Sequence, residues 1–238
     1  MFRTTEIKRD IVIANRILAH EGVADAFGHV SARNPGKPQQ YFISRSRSPA
    51  LVTTADIMEF HLTGNSISKD DRKPYAERHI HGAIYEARPD VHAVIHNHAH
   101  EIIPFTVTKI PLRPLMHTTG VIGAHVPVWD IADKFGDTSL LVTDMEQGRD
   151  MAQTLGDARV VLMRGHGCTV TGASGREVTL AAVYTHVNAK LQLQAMPLGN
   201  VQYLSPGEIE KTPEALIGPL AMERAWDYYA ARAGADQL

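Results

Sequence analysis

Val91-His92-Ala93-Val94-Ile95-His96-Asn97-His98 reads as an apolar β-strand ending in two histidines spaced i and i+2. Alternate side chains of a strand share a face, so the two imidazoles lie together and form half of a divalent-metal site. A third histidine stands between glycines in Arg164-Gly165-His166-Gly167, directly after a second apolar run, Val160 to Met163. That run and Cys168 to Thr171 read as a hairpin with His166 in its turn. Six of the thirteen histidines fall between His79 and His100, so chance pairs are expected. Placement at strand ends separates His96, His98 and His166 from the others, and borderline cations favour neutral imidazole ligands.

Working outward, Asp70, Asp71 and Pro74 announce a helix whose apolar positions Ala76, Ile80, Ala83, Ile84 and Ala87 run to Pro89. Glu77, His81 and Ile84 share one face of it. Only Pro89-Asp90 separates this helix from the histidine strand, so the two pack as neighbours and a carboxylate is aimed toward His96 and His98. Upstream lie a helix from about Thr5 to Glu21 and strands at Phe27–Arg33, Gln40–Ser44 and Ile57–Leu62, with the unusual Ser44-Arg45-Ser46-Arg47-Ser48 after the second. Downstream, Ile110 to Val128 reads as strand and loop around a site or interface, Leu140 to Thr143 as a short strand, and Asp150 to Gly156 as a short helix. Ser174-Gly175-Arg176-Glu177 is a capping box opening a helix that reaches about Ala195. Ser205-Pro206-Gly207-Glu208 is a second box, starting a C-terminal helical tail from about residue 205. No repeat or linker interrupts residues 1–238, which read as a single α/β domain.

Composition narrows the function classes. Lys plus Arg number 24 against 26 for Asp plus Glu, a net charge of −2 that gives nucleic acid no footing. No apolar run approaches the roughly 18 residues of a membrane span, and Met1-Phe2-Arg3-Thr4-Thr5-Glu6 does not open a signal peptide, so no membrane partner and a cytoplasmic location are expected. Cys168, the single cysteine, excludes an internal disulfide and reads as an inward-packed strand residue.

The order Gly28-His29-Val30-Ser31-Ala32-Arg33, then Pro74-Tyr75-Ala76-Glu77, then His96-Asn97-His98, then Gly165-His166-Gly167 resembles the class II aldolase/adducin family, from Ile11 to about Leu204. The resemblance implies a three-layer αβα sandwich with a mixed, largely antiparallel central sheet, assembled as a homotetramer with active sites at subunit interfaces. It implies one divalent ion per chain, zinc or manganese with cobalt or iron as alternatives, held by His96, His98 and His166. It makes Glu77 the acid/base residue, touching the metal when no substrate is bound.

Departures from the aldolase pattern redirect the expected chemistry. Sugar-phosphate aldolases of the family place two serines before the glutamate and a Thr/Ser-Gly turn after the second strand to cradle phosphate. Here those positions are Tyr75, Ala76 and the Ser44 to Ser48 segment, His29 replaces an asparagine, and Thr118, after His117, replaces a proton-donating tyrosine. Guanidinium groups at Arg45 and Arg47 suit planar carboxylates, each of which a fork can bind twice. Asp25 to Ser31, Ser44 to Arg47, Asp56 to Phe60 and Lys73-Pro74-Tyr75 resemble the family's bacterial decarboxylases of aromatic catabolism. The resemblance therefore implies a lyase that removes carbon dioxide from a hydroxylated aromatic or pyridine dicarboxylate. Ser44, Arg45, Arg47, His29, His117 and Thr118 are its candidate substrate contacts, and His81 is a candidate support for Glu77. The competing readings are an aldolase or epimerase acting on a non-phosphorylated hydroxyacid or sugar, and a non-enzymatic adducin-like binding module. Three histidines suit an open catalytic site better than a closed structural one.

Overall fold

The computed structural model describes residues 2–67 and 70–238. Its strands are β1 (His29–Arg33), β2 (Gln40–Ser44), β3 (Ile57–His61), β4 (Ala93–Asn97), β5 (Val128–Trp129), β6 (Val160–Met163) and β7 (Gly167–Gly172). Its helices are α1 (Phe2–His20), α2 (Arg78–Ala87), α3 (Ile103–Val107), α4 (Ala132–Phe135), α5 (Met145–Leu155), α6 (Gly175–Ala195), α7 (Pro206–Ile217) and α8 (Pro219–Arg232). The strands make one sheet in the order β3-β2-β1-β4-β7-β6-β5, antiparallel at every junction except the parallel pair β5 and β6.

Strand alternation divides the side chains between two cores. Val30, Ala32, Ala93, Ile95, Cys168 and Val170 face a core shared with α1, α6 and α8. Tyr41, Ile43, Val94, Val161 and Met163 face the other, shared with α2 and α5. The mixed sheet between two helical layers is the sandwich the family resemblance implies. Ile80 and Ile84 of α2 are fully buried, and each such side chain contributes about 1.5–3 kcal/mol. The same period of two places His29, Ser31, His96 and Thr169 on the α2 side, all buried polar residues on an otherwise apolar face. Polar groups in that position are costly unless each finds a partner.

Several local expectations are corrected. The helix announced at Asp70 starts at Arg78, with Glu77 as its N-terminal flanking residue. The preceding segment pairs instead with the arginine segment: Ser46 N–H donates to Lys73 O at 2.8 Å, and Arg45 bridges Pro74. Lys73, preceding a proline, is biased toward such extended backbone. Leu140 to Thr143 is a loop, turned by a left-handed Leu140 (φ 65°). No strand lies between Ile110 and Pro127; a 3-10 turn at His117–Ile122 occupies that stretch. Helix α5 starts earlier than Asp150 because Asp144 caps it, accepting from Gln147 N–H at 2.9 Å. The capping boxes also differ. Ser205 and Glu208 cap reciprocally, whereas Ser174 accepts from Glu177 N–H and the Glu177 carboxylate turns to Ala173 N–H and Arg159.

Candidate metal centre

Glu77, His96, His98 and His166 converge, with one ligand atom from each lying within 4.8 Å of the others. His96 comes from the end of β4, and His98 stands just past it. His166 reaches them because the β6–β7 turn runs very close to β4. A Cβ on Gly167 would sit 2.2 Å from Asn97 O, and Gly165 takes a left-handed φ of 64°, so both flanking glycines are required by the backbone. Glu77 enters from the start of α2. Its Oε1 accepts from Val142 N–H at 3.1 Å, in the loop that sequence reading took for a strand.

Nε2 of His98 lies 2.9 Å from Nε2 of His96 and 3.0 Å from Nε2 of His166. Glu77 Oε2 lies 3.5 Å from Nε2 of both His96 and His166. Ligand bonds of 2.0–2.1 Å in a tetrahedral site place donor atoms about 3.3–3.4 Å apart, so these spacings fit a divalent ion. One ring nitrogen cannot hydrogen-bond productively to two others of its kind, whereas three lone pairs aimed at one point suit a cation. His96 Nδ1 faces Thr169 Oγ1 at 3.2 Å, and because that hydroxyl donates to Met163 Sδ at 3.6 Å it accepts from Nδ1–H and leaves Nε2 free to bind an ion. Burial lowers the His96 and His98 pKa values, that of His98 to about 3 with help from the two neighbouring imidazoles, so both are neutral ligands. Burial works to raise the Glu77 carboxyl, but positive charge at the His96 and His166 positions outweighs it and would hold the group well below the usual carboxylate range.

Beside this cluster, Arg45 and Arg47 both grip Asp56. Arg45 Nε donates to Oδ1 at 2.6 Å, and one terminal nitrogen of Arg47 donates to the two oxygens at 3.2 and 3.0 Å. Asp56 is buried and also accepts from Thr53 N–H and Oγ1. Its burial works to raise the carboxyl, but these donors, Arg45 foremost, hold it well below its ordinary value. Two cations thus share one anion, and each keeps N–H groups with no partner among the described residues. Tyr75 ties this assembly to the cluster. Its phenol donates to Arg47 O, and its ring lies 4.5 Å from that of His29, which lies 5.2 Å from that of His96. Ser44 is fully buried in the same region, its hydroxyl beside the Tyr75 phenol.

The sequence profile described as the class II aldolase and adducin N-terminal domain matches residues 9–193. The chain belongs to that family. This class II aldolase-family protein is 33% identical to decarboxylase tropJ of Talaromyces stipitatus, over 92% of its own length and 90% of that relative's. It is 28% identical to the 3,4-dihydroxyphthalate decarboxylase of Arthrobacter keyseri, over 94% and 93% of the two chains. Its fold matches the crystal structure of an aldolase II superfamily protein from Pseudomonas syringae with a TM-score of 0.79 at 23% identity, covering 97% and 94% of the chains. The family includes decarboxylases and aldolases, and its aldolases use a divalent metal.

Of the sequence-predicted contacts, His29 reaches the cluster of this class II aldolase-family protein by its pairing with His96 across β1 and β4. His117 and Thr118 do not. They line a separate cavity of about 350 Å³ with Tyr184, Arg224, Tyr228 and Tyr229. Thr118 Oγ1 is buried there with no hydrogen-bond partner among the described residues. Sequence reading missed three neighbours. Asp56 was legible only as part of a resemblance, because its partners lie nine and eleven residues away across a turn. Val142 acts through backbone alone. Phe27 stands 65% exposed with its ring 6.4 Å from that of His98, on a turn closed by its own N–H bonding to Asp25 Oδ1 at 2.9 Å; an exposed aromatic was the available signal.

Proposed function

We propose that the protein is a divalent-metal-dependent carboxy-lyase acting on hydroxylated aromatic or pyridine dicarboxylates. The observation that carries this reading is the Arg45–Asp56–Arg47 assembly, tied to the Glu77–His cluster through Tyr75 and His29, where the family resemblance implies hydroxyl donors in sugar-phosphate aldolases. Its unengaged N–H groups suit a substrate carboxylate held away from the cluster. The decarboxylase names of the two relatives support the same reaction class.

His96, His98 and His166 would hold the ion, zinc or manganese with cobalt or iron as alternatives. When bound, such an ion supplies Lewis-acid stabilisation of developing negative charge, worth several kcal/mol. Glu77, ionised at rest by its neighbours, first accepts a proton from the substrate's hydroxyl at Oε2. The carbon to carboxylate bond then breaks, carbon dioxide leaves, and the electron pair stays on the ring carbon. Glu77 returns its proton to that carbon, and the product oxygen takes one from solvent, so one proton is consumed per carbon dioxide released. Arg45 and Arg47 hold the second carboxylate, Ser44 and His29 offer further polar contacts, and Phe27 presents an aromatic face to the ring.

His117 and Thr118 fit this scheme as groups lent to a neighbouring copy's site, since neither touches the cluster of its own chain. The reading includes a homotetramer with interface active sites, to which these two residues would contribute. The reading keeps the small-molecule carboxylate as partner, without nucleic acid or membrane, in the cytoplasm. No helix among the described residues is long and apolar enough to cross a membrane.

The test is a screen of hydroxylated aromatic and pyridine dicarboxylates for carbon dioxide release, with zinc and manganese supplied separately. Carbon dioxide without an aldehyde product is expected. An aldehyde product from a hydroxyacid or sugar would instead establish the aldolase reading, and inactivity of the metal-loaded protein on every class would favour a binding module.

A further inference from the structure

Four buried side chains run in file from the cluster along the α2 face of the sheet. His29 Nδ1 lies 2.6 Å from His81 Nε2, His81 Nδ1 lies 2.6 Å from Ser31 Oγ, and Ser31 Oγ lies 2.8 Å from the Tyr85 hydroxyl. His81 and Ser31 are fully buried and Tyr85 is 1% exposed, so water does not compete for these bonds. Tyr85 is wedged at the far end, with the Arg33 guanidinium 4.8 Å over its ring and Tyr41 5.5 Å away on another side. Tyr41 also stacks on His81 at 6.4 Å, which walls the file along its length.

The hydrogens in this file can be counted. A phenol has one hydrogen, and among the described residues the acceptor bonded to the Tyr85 hydroxyl is Ser31 Oγ. A buried phenol O–H left without an acceptor is costly, so the arrangement that satisfies this one has Tyr85 donating to Ser31. The Ser31 hydrogen is then free for its other partner, His81 Nδ1, which must accept and so carries no hydrogen. A neutral His81 bears its hydrogen on Nε2 and donates it to His29 Nδ1. His29 is left with its own hydrogen on Nε2, the ring nitrogen that no member of the file engages. Burial, which lowers both imidazole pKa values, agrees with neutral rings.

We infer that Tyr85, Ser31 and His81 are positioning residues that set His29 as a fixed hydrogen-bond donor at Nε2, directed to an anionic oxygen of the substrate. His29 pairs directly with His96 across the strands and borders Tyr75, so its ring lies between the histidine cluster and the tyrosine that ties the arginine assembly to it. It cannot serve as a base in this state, which leaves base catalysis to Glu77. The file has a direction because its far end has one acceptor; no residue near the cluster is needed to set it. Its role toward an oxygen of the substrate rests on the carboxy-lyase reading. The tautomer of His29 does not.

Two-bond proton–nitrogen NMR correlations on zinc-loaded protein with nitrogen-15-labelled histidine, assigned with His29→Asn, read the tautomer directly. The expected result is His29 protonated at Nε2 alone. A His29 protonated at Nδ1 would overturn the inference. Tyr85→Phe removes the hydrogen that orders the file, and Ser31→Ala cuts it nearer the cluster. Each is expected to give a mixture of His29 tautomers, and an unchanged pure Nε2 tautomer in both would overturn the role of the file. With an active substrate, His29→Ala should lower kcat/KM about 10- to 100-fold, as for loss of a hydrogen bond to a charged group, and Tyr85→Phe should lower it less. If no substrate class is turned over while the Nε2 tautomer is found, the carboxy-lyase reading and the substrate role of His29 fail together, and the ordering of the file and the tautomer it sets stand.

Discussion

Val142 N–H donates to Glu77 Oε1 at 3.1 Å, and this single backbone bond aims the other carboxylate oxygen at His96 and His166. Glu77 sits where a helix begins, yet its side chain caps nothing. The loop that carries Val142 includes a left-handed Leu140, a conformation that costs free energy in a residue with a Cβ and that places the donor. Glu77→Gln keeps an acceptor for Val142 while removing the charge and the basic oxygen. Metal content by elemental analysis is expected to stay near that of the wild type, while turnover falls about a hundred- to ten-thousand-fold. Wild-type turnover in this variant would remove Glu77 from the chemistry.

The sequence made legible those parts of the centre that depend on strand period and glycine-flanked turns. His96, His98 and His166 followed from position at strand ends, and Glu77 from its helix face, although the helix begins one residue after it rather than seven before. What stayed hidden depends on groups that carry no side-chain signal or that meet only through the fold. Val142 acts through its backbone, so no residue type could announce it. Asp56 is an ordinary carboxylate until a turn brings Arg45 and Arg47 onto it. The His81 contact went to His29 and not to Glu77, because α2 lies over β1 as well as β4 and the strand register sets His29 beside His96.

Asp56 anchors two arginines, so removing one of them should affect substrate binding more than folding. Arg47→Ala leaves the Arg45–Asp56 bond of 2.6 Å in place. It should raise KM for a dicarboxylate by more than for its monocarboxylate analogue, with a thermal midpoint close to that of the wild type. An equal rise for both substrates would show that Arg47 does not bind the second carboxylate.

Phe27 exposes 65% of its surface beside His98, a position from which its ring contributes little to the core. An aromatic contact with a substrate ring is worth about 0.5–1.5 kcal/mol beyond burial, so Phe27→Ala should weaken aromatic substrates by about 2- to 12-fold. Phe27→Tyr should restore most of that loss. Sedimentation of the same variants separates this role from one in assembly, since a change in oligomeric state with unchanged affinity would assign Phe27 to a subunit contact.

The buried imidazoles give the metal-free chain a characteristic acid sensitivity. His81 is fully buried, and burial above all, with the neighbouring His96 imidazole acting in the same direction, brings its pKa down from 6.5 to about 3. Unfolded, the same group binds a proton near its ordinary value of about 6.5. Between these limits the unfolded state holds more protons than the folded one, so stability rises with pH and is lost as pH falls from about 6.5 toward 3. One such group gives a slope of up to about 1.4 kcal/mol per pH unit, and His98, lowered in the same direction, steepens it. Urea midpoints of chelator-treated protein at pH 7, 6 and 5 should therefore decline in sequence. His81→Gln, though less stable at pH 7, should decline with a slope shallower by about one proton. A slope equal to that of the wild type would show that His81 is not the group being protonated on unfolding.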